Sequence, residues 1–503
     1  MATRKEKLYF NLRRLRGFLR ELVSDKRGAL GVLILIFFSS VAIFAPFIAK
    51  HDPVNDTYLA GDYARPSWLR SLPGGSHLSE NMLVVKDSSF DSINALAEWN
   101  ITSTKKVGIF YSTTTGGPSS GPGSLVLEYK RQAGELAVPV EVQISKKFHY
   151  PYIDSPKRFV CNYSMLVKGI SEIRELEVRV YITRLEKSGN ATSYLLSSKK
   201  FSKSMTSWYV SAGIDSYGDV KKLFGMTKDP AKVIFNSTLS NMYTYDISLI
   251  IYDVDSSKNI DLYIYLDDLN LHLYGNCFGL LGTDQWGRDI FSQIVYGTRL
   301  SLIVGLLSAF LGVSIGLVVG VVSGYVGGGV DEILMRFTDM LLVLPSLPLL
   351  LVLIAVLGPS LMNLILLIGA LGWMGFARVV RSQVLSLKER PFVEAAKAVG
   401  AGRFYIIFRH IVPNVISLVY VTLALNVPSA IISEAALSWL GLFDPSVVSW
   451  GKMLHDAMSY ERSVDKWWWI VPPGLCIAIL SLSFILIGYA IDDILNPKLR
   501  ERR

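Results

Sequence analysis

The sequence predicts a polytopic α-helical membrane protein of six spans, carrying an inserted, mainly-β domain of β-sandwich type outside the cytoplasm. Three observations predict it. Half of the 503 residues are apolar and only 18% are charged, against about 25% charged in ordinary soluble domains. The apolar residues gather in runs long enough to cross a bilayer, which needs about 20 helical residues. Between the first and second runs lies a long stretch with the charge density and strand-like alternation of an ordinary folded domain.

The first run, GALGVLILIFFSSVAIFAPFIA at 28–49, holds 22 residues without a charge. It exceeds the roughly 7 to 15 residue core of a signal peptide and no clean small-residue cleavage site follows, so it reads as an uncleaved anchor. Further runs at 300–325, 340–357, 361–376, 415–440 and 469–490 complete the six. Gly358-Pro359-Ser360 separates two of them as a tight hairpin, because proline cannot continue the preceding helix.

Charge sets the orientation. Residues 1–28 hold nine basic and three acidic groups, 377–410 seven and two, and 491–503 four and three, a combined net of +12. Short basic flanks stay on the cytoplasmic side, so both termini and the 377–414 loop are expected inside. The 50–280 stretch holds 25 basic and 24 acidic groups. All five Asn-x-Ser/Thr glycosylation acceptors, at Asn55, Asn100, Asn162, Asn190 and Asn236, also fall there. The chain therefore divides into a basic N-terminal segment (1–27), the first span (28–49), an extracytoplasmic domain (50–280), a membrane core with five spans (281–490) and a cytoplasmic tail (491–503). Because the basic excess sits at membrane edges, the overall +9 argues for the lipid bilayer as partner and against nucleic acid.

In the outer domain, strands are expected at 138–144, 158–168, 176–183, 232–236, 246–252 and 261–272, with a loop at 113–123. Cys161 and Cys277 lie here; an oxidising exterior permits a disulfide between them, and two buried thiols are the equal alternative. Trp208, Tyr209, Tyr243 and Tyr245 read as core aromatics before they read as a sugar-stacking surface. The closing DLYIYLDDLNLHLYG faintly resembles the last strand of jelly-roll carbohydrate-binding modules.

The 376–414 segment is too polar to span a membrane. A short helix is expected at 392–399, with Pro391 at its start, where a missing N–H does no harm, and Gly400 and Gly402 ending it. Alanines at 395, 396 and 398 give it a narrow surface. Pro413 and Asn414 mark the return to the membrane. Glu394-Ala395-Ala396-x-x-x-Gly400 followed by Ile411-Val412-Pro413 resembles the EAA loop of the membrane subunits of ABC importers. The stretches LGTDQWGRDIFSQIVYGTRLSLIVG, GYVGGGVDEILMRFTDMLLVLPSLPLLL, ALSWLGLFDPSVVSWGKML and WWWIVPPGLCIAILSLSFILIGYAIDDILNPKLR extend the likeness over nearly half the chain. Together they are similar to the C-type permease subunit of the dipeptide and oligopeptide importer family.

That resemblance implies a type I importer permease fold in which Glu394, Ala395, Ala396, Gly400, Gly402 and Arg403 contact a cytoplasmic ATPase. It also implies a second homologous permease forming a heterodimer, two ATPase subunits that hold the ATP and Mg, and an extracytoplasmic substrate-binding protein. The chain itself is expected to bind no cofactor or metal and to catalyse no reaction, and it carries no GxxxxGK[ST] phosphate loop. Peptides are the implied cargo, with oligosaccharides, carried by archaeal members of the branch, left open. His410 departs from the general motif and reads as structural, whereas the family's much shorter first connection leaves 50–280 without a counterpart. Glu434, inside the fifth span, reads equally as a pathway or gate residue or as a hydrogen-bonded structural group. Asp284, Arg288 and Asp289 read as an internal ion-pair cluster, and Trp467, Trp468 and Trp469 as an interfacial belt. Two competing functions remain: a membrane-anchored surface glycoprotein or receptor, and a secondary transporter, which the scarcity of intramembrane charges disfavours.

Overall fold

A computed structural model describes residues 17–118, 121, 123–169, 173–202, 205–253, 255–460 and 466–495. The ends of the basic N-terminal segment (1–16) and of the tail (496–503) lie outside the described residues. Two compact units emerge: one from 1–56 with 289–503, the other from 57–288.

Among the described residues, the membrane unit contains five helices long and apolar enough to span a bilayer, or six if the bent pair Gly328–Val343 and Ser346–Leu357 is one span. The first is α1 (Lys26–Ile43), whose N-cap Asp25 accepts the Arg27 and Gly28 amides and which is followed by the single turn α2 (Ala45–Ile48). In the 57–288 unit lie two short helices, α3 (Asp219–Phe224) and α4 (Pro230–Ile234). The second span, α5 (Ile290–Val326), runs 37 residues, about 55 Å at 1.5 Å per residue, well over the hydrocarbon thickness.

The expected third span at 340–357 is not one straight helix. α6 (Gly328–Val343) and α7 (Ser346–Leu357) meet at a 90° bend. Pro345 is the cause: it forces Leu344 into extended backbone (ψ 130°) and ends the first helix there. The expected hairpin after α7 forms, with Gly358 at φ +89° and Ser360 capping the Asn363 amide. α8 (Leu361–Leu371) and α9 (Met374–Lys388) together make the next long element.

After α10 (Pro391–Ala398), the fifth span starts well before the expected 415. α11 (Arg403–Ile406), a π turn at Ile407–Ile411 and α12 (Val412–Trp439) run on as one 37-residue element. Pro413 therefore lies inside a helix, and the wide turn before it takes up the ring that a regular helix would reject. α13 (Trp450–Tyr460) and α14 (Trp467–Leu495) complete the unit. Of the expected tryptophan belt, only Trp467 is substantially exposed; Trp468 and Trp469 are buried.

The 57–288 unit is rich in antiparallel sheet. One sheet contains β1 (Met82–Leu83), β3 (Gly108–Ser112), β4 (Ser124–Arg131), β6 (Arg158–Lys168), β9 (Tyr209–Val210), β10 (Ile214–Asp215) and β12 (Ile260–Tyr274). The other runs β2 (Asn100–Ser103), β5 (Val140–His149), β11 (Met242–Tyr252), β7 (Glu175–Leu185), β8 (Ala191–Phe201). Leu127, Val167 and Leu266 of the first and Ile144, Val180 and Ile247 of the second join one buried hydrophobic cluster. Tyr243 and Tyr245 are fully buried in it, as expected of core aromatics. The strand expected at 232–236 is instead mostly α4: Asp229 accepts the Ala231 amide and Pro230 occupies the first helical position, a cap and start signal that outweighs the β-branched composition.

No disulfide joins Cys161 and Cys277. Cys161 sits opposite Leu271 in the β6–β12 ladder, whereas Cys277 lies past the end of β12 in a bridge with Arg65. Each is a buried thiol, Cys161 Sγ facing Ile214 O at 3.6 Å and Cys277 Sγ facing Ser79 O at 3.2 Å. Asp284 and Arg288 form the expected ion pair at 2.7 Å, while Asp289 caps α5 through the Ser292 amide.

Candidate functional site

The 391–411 segment is organised around one anchored residue. Arg390, in extended backbone, precedes α10, and Pro391 takes its first position. Val393 is completely buried and joins Val384 and Leu387 of α9, Ile406 of α11, Val415 of α12 and Tyr325 of α5 in one cluster. That contact fixes the rotation of α10. A helix places successive residues 100° apart, so burying Val393 turns the next two, Glu394 and Ala395, outward, where both are exposed, while Ala396 is half-buried.

Gly400 ends the helix at φ +82°, a conformation that costs other residues a steric penalty. Gly402 has a different role from the expected one. At φ −67°, ψ 154° it caps the start of α11, and Arg403 follows as the exposed first residue of that helix. The His410 ring lies 6.1 Å from Phe392 and 5.8 Å from Tyr405, bracing α10 against the π turn and accounting for a histidine at that position.

Around Glu394 the surface is unusually apolar. Val399 is 84% exposed, Phe404 80% and Phe408 69%, with Phe392 and Tyr405 also exposed. Large apolar side chains uncovered at this density mark a face that meets lipid or a partner. The aromatic part of this surface was missed in the sequence, where Phe404 and Phe408 resemble the start of an ordinary buried helix face.

Behind this surface, Arg381 of α9 makes a bidentate pair with Asp331 of α6, Nε to Oδ1 and Nη2 to Oδ2 each at 2.6 Å, and Ser323 of α5 also donates to Asp331. Three helices are thus joined at one carboxylate, with Arg381 seven residues before the end of α9. Nothing in the spacing of these residues announces the pairing.

Glu434 is 1% exposed and accepts a 2.7 Å hydrogen bond from Ser438 Oγ, one turn along α12. It is not brought together with the 391–411 segment, and its observed partner fits the structural reading. Of the glycosylation candidates, Asn55, Asn100 and Asn190 are exposed. Asn236 is half-buried and its amide oxygen accepts from its own Thr238, at 2.6 Å from Oγ1. Asn162 is half-buried within β6, with its side-chain oxygen buried.

Two family models match the chain. Residues 316–501 match the binding-protein-dependent transport system inner membrane component, and residues 14–66 the N-terminal transmembrane domain of oligopeptide transport permease C. The dipeptide transport system permease protein DppC of Bacillus subtilis is 40% identical over 220 residues, 44% of this chain and 68% of the relative. DppC of Escherichia coli K12 is 42% identical over 228 residues, 45% of this chain and 75% of the relative. A solved carbohydrate-binding module of the β-sandwich superfamily aligns over 37% of this chain and 62% of that one, at 10% identity and a TM-score of 0.25, too slight a likeness to carry an argument.

Proposed function

Because the chain belongs to the binding-protein-dependent permease family of dipeptide and oligopeptide transport systems, we propose that it is one of two homologous membrane subunits of an ABC importer that moves oligopeptides. The observation that carries this reading is α10. Inside the matched 316–501 region it presents Glu394 and Ala395 outward on a helix whose rotation Val393 fixes.

ATP and Mg belong to two partner ATPases. Docked on the surface formed by α10, Arg403 and the aromatics around them, the ATPases displace α10, and the Val393 cluster passes that displacement directly to α5, α9 and α12. ATP binding thereby favours one of two arrangements of the spans, the general form of alternating access. An extracytoplasmic binding protein delivers the cargo. The matched relatives are named for dipeptide and oligopeptide transport, which favours peptides over oligosaccharides.

The charge distribution supports a topology with both termini and α10 in the cytoplasm and the 57–288 unit outside. The importer reading is tested by reconstituting the complex in proteoliposomes and following a radiolabelled tri- to hexapeptide set. Accumulation should require ATP and the binding protein, and protease added to whole cells should release the 57–288 unit. Uptake indifferent to ATP would overturn the reading.

A further inference from the structure

Asn426, Ser429 and Ser433 recur on α12 at spacings of three and four residues, which aligns them along one helix face. With Ser308 of α5 and Ser346 at the start of α7, they open onto a cavity of about 230 Å³. Small residues make the room: Ala309, Gly312 and Gly372 also line it.

Ser308 Oγ is satisfied by Ile365 O at 3.2 Å. The side chains of Ser346, Asn426, Ser429 and Ser433, in contrast, make no hydrogen bond among the described residues. Within a bilayer an unsatisfied amide or hydroxyl facing lipid costs several kcal/mol, and four that converge on one cavity are placed where water or a polar cargo reaches them. Glu434, the candidate pathway residue of the sequence, does not line this cavity and already has Ser438 as partner.

From this convergence we infer that Asn426, Ser429 and Ser433, facing Ser346, form a wetted strip of the translocation path that exchanges hydrogen bonds with the main chain of a passing peptide. The strip offers amide and hydroxyl groups that both donate and accept, and no ionisable side chain lines the cavity among the described residues. Such groups engage the N–H and C=O that every peptide carries, irrespective of its side chains. The cargo class rests on the importer reading above, whereas the wetness of the strip does not.

The test uses the assembled complex in membrane vesicles. Ser429→Cys and, as an apolar control, Phe310→Cys on α5 are exposed to a membrane-impermeant, thiolate-selective methanethiosulfonate, with the unsubstituted chain as background. Phe310 is 63% exposed and lies two residues from Ser308, hence on the far side of its helix. Ser429→Cys should react at least about tenfold faster than Phe310→Cys, and excess transported peptide should slow it. Equal, slow reaction at both sites would overturn the wetted strip. Paired with this, Asn426→Leu with Ser429→Val should lower peptide uptake by about tenfold while binding-protein-stimulated ATP hydrolysis persists; unchanged uptake would overturn the contact with cargo. Fast labelling of Ser429→Cys, alongside an unsubstituted complex that moves no peptide, would instead uphold the strip and sink the importer reading.

Discussion

Glu177 shows how much one side chain on a sheet surface depends on its neighbours. Its carboxylate accepts from Arg179 Nε and Nη2 at 2.8 and 2.9 Å, from Ser198 Oγ at 2.7 Å and from the Tyr252 hydroxyl at 2.9 Å. Led by the Arg179 guanidinium, these donors hold its pKa down at about 2, against 4.5 ordinarily. A depressed folded-state value means the stabilisation is fully present above about pH 4.5 and is lost as pH falls toward 2. Melting of the 57–288 unit, followed by circular dichroism, should therefore weaken across that window, and Glu177→Gln should flatten the slope. An identical acid slope in the variant would show that Glu177 contributes none of it. Alternation in β7 was legible in the sequence, but these partners come from three strands, β7, β8 and β11, so the network was not.

At the scale of elements, the membrane unit is held together by the absence of side chains. Gly316, Gly320 and Gly324 recur every fourth residue along α5, and a Cβ on each would lie 2.8, 2.6 and 2.9 Å from the carbonyls of Trp373, Ala377 and Arg381. Backbones this close give the packing by which membrane helices associate without a hydrophobic driving force. Gly320→Val should cost about 1 to 3 kcal/mol by overpacking, read as a lower melting temperature of the detergent-purified chain; an unchanged melting temperature would mean that α9 can move away freely. Helix runs were legible because 20 apolar residues have few alternatives, and β6 formed over the expected 158–168. The sequence reading failed where one residue outweighed composition: Pro345 bent the third span, and Pro230 and Asp229 turned an expected strand into α4; the π turn before Pro413 also carried the fifth span back to Arg403, ahead of the expected 415.

For the whole molecule, the division of labour follows the chain. Family matches cover 14–66 and 316–501, while the 57–288 unit is largely additional to them. The sequence set 50–280 apart by its near-balanced charge and its acceptor sites, and the compact unit spans 57–288. The candidate coupling residues were legible through the motif at Glu394 to Gly400. The aromatic surface beside them was not, since exposure of Phe404 and Phe408 follows from Ile406, midway between them, being the residue that turns inward. The central claim, that α10 links ATPase motion to the spans, is tested most directly by Glu394→Lys in the reconstituted complex, with uptake and ATP hydrolysis measured together. Reversing this outward charge should lower ATP-driven peptide uptake by at least about tenfold, a loss of about 1.4 kcal/mol or more, with the chain still present in the membrane at its usual level. Undiminished uptake coupled to hydrolysis would contradict it.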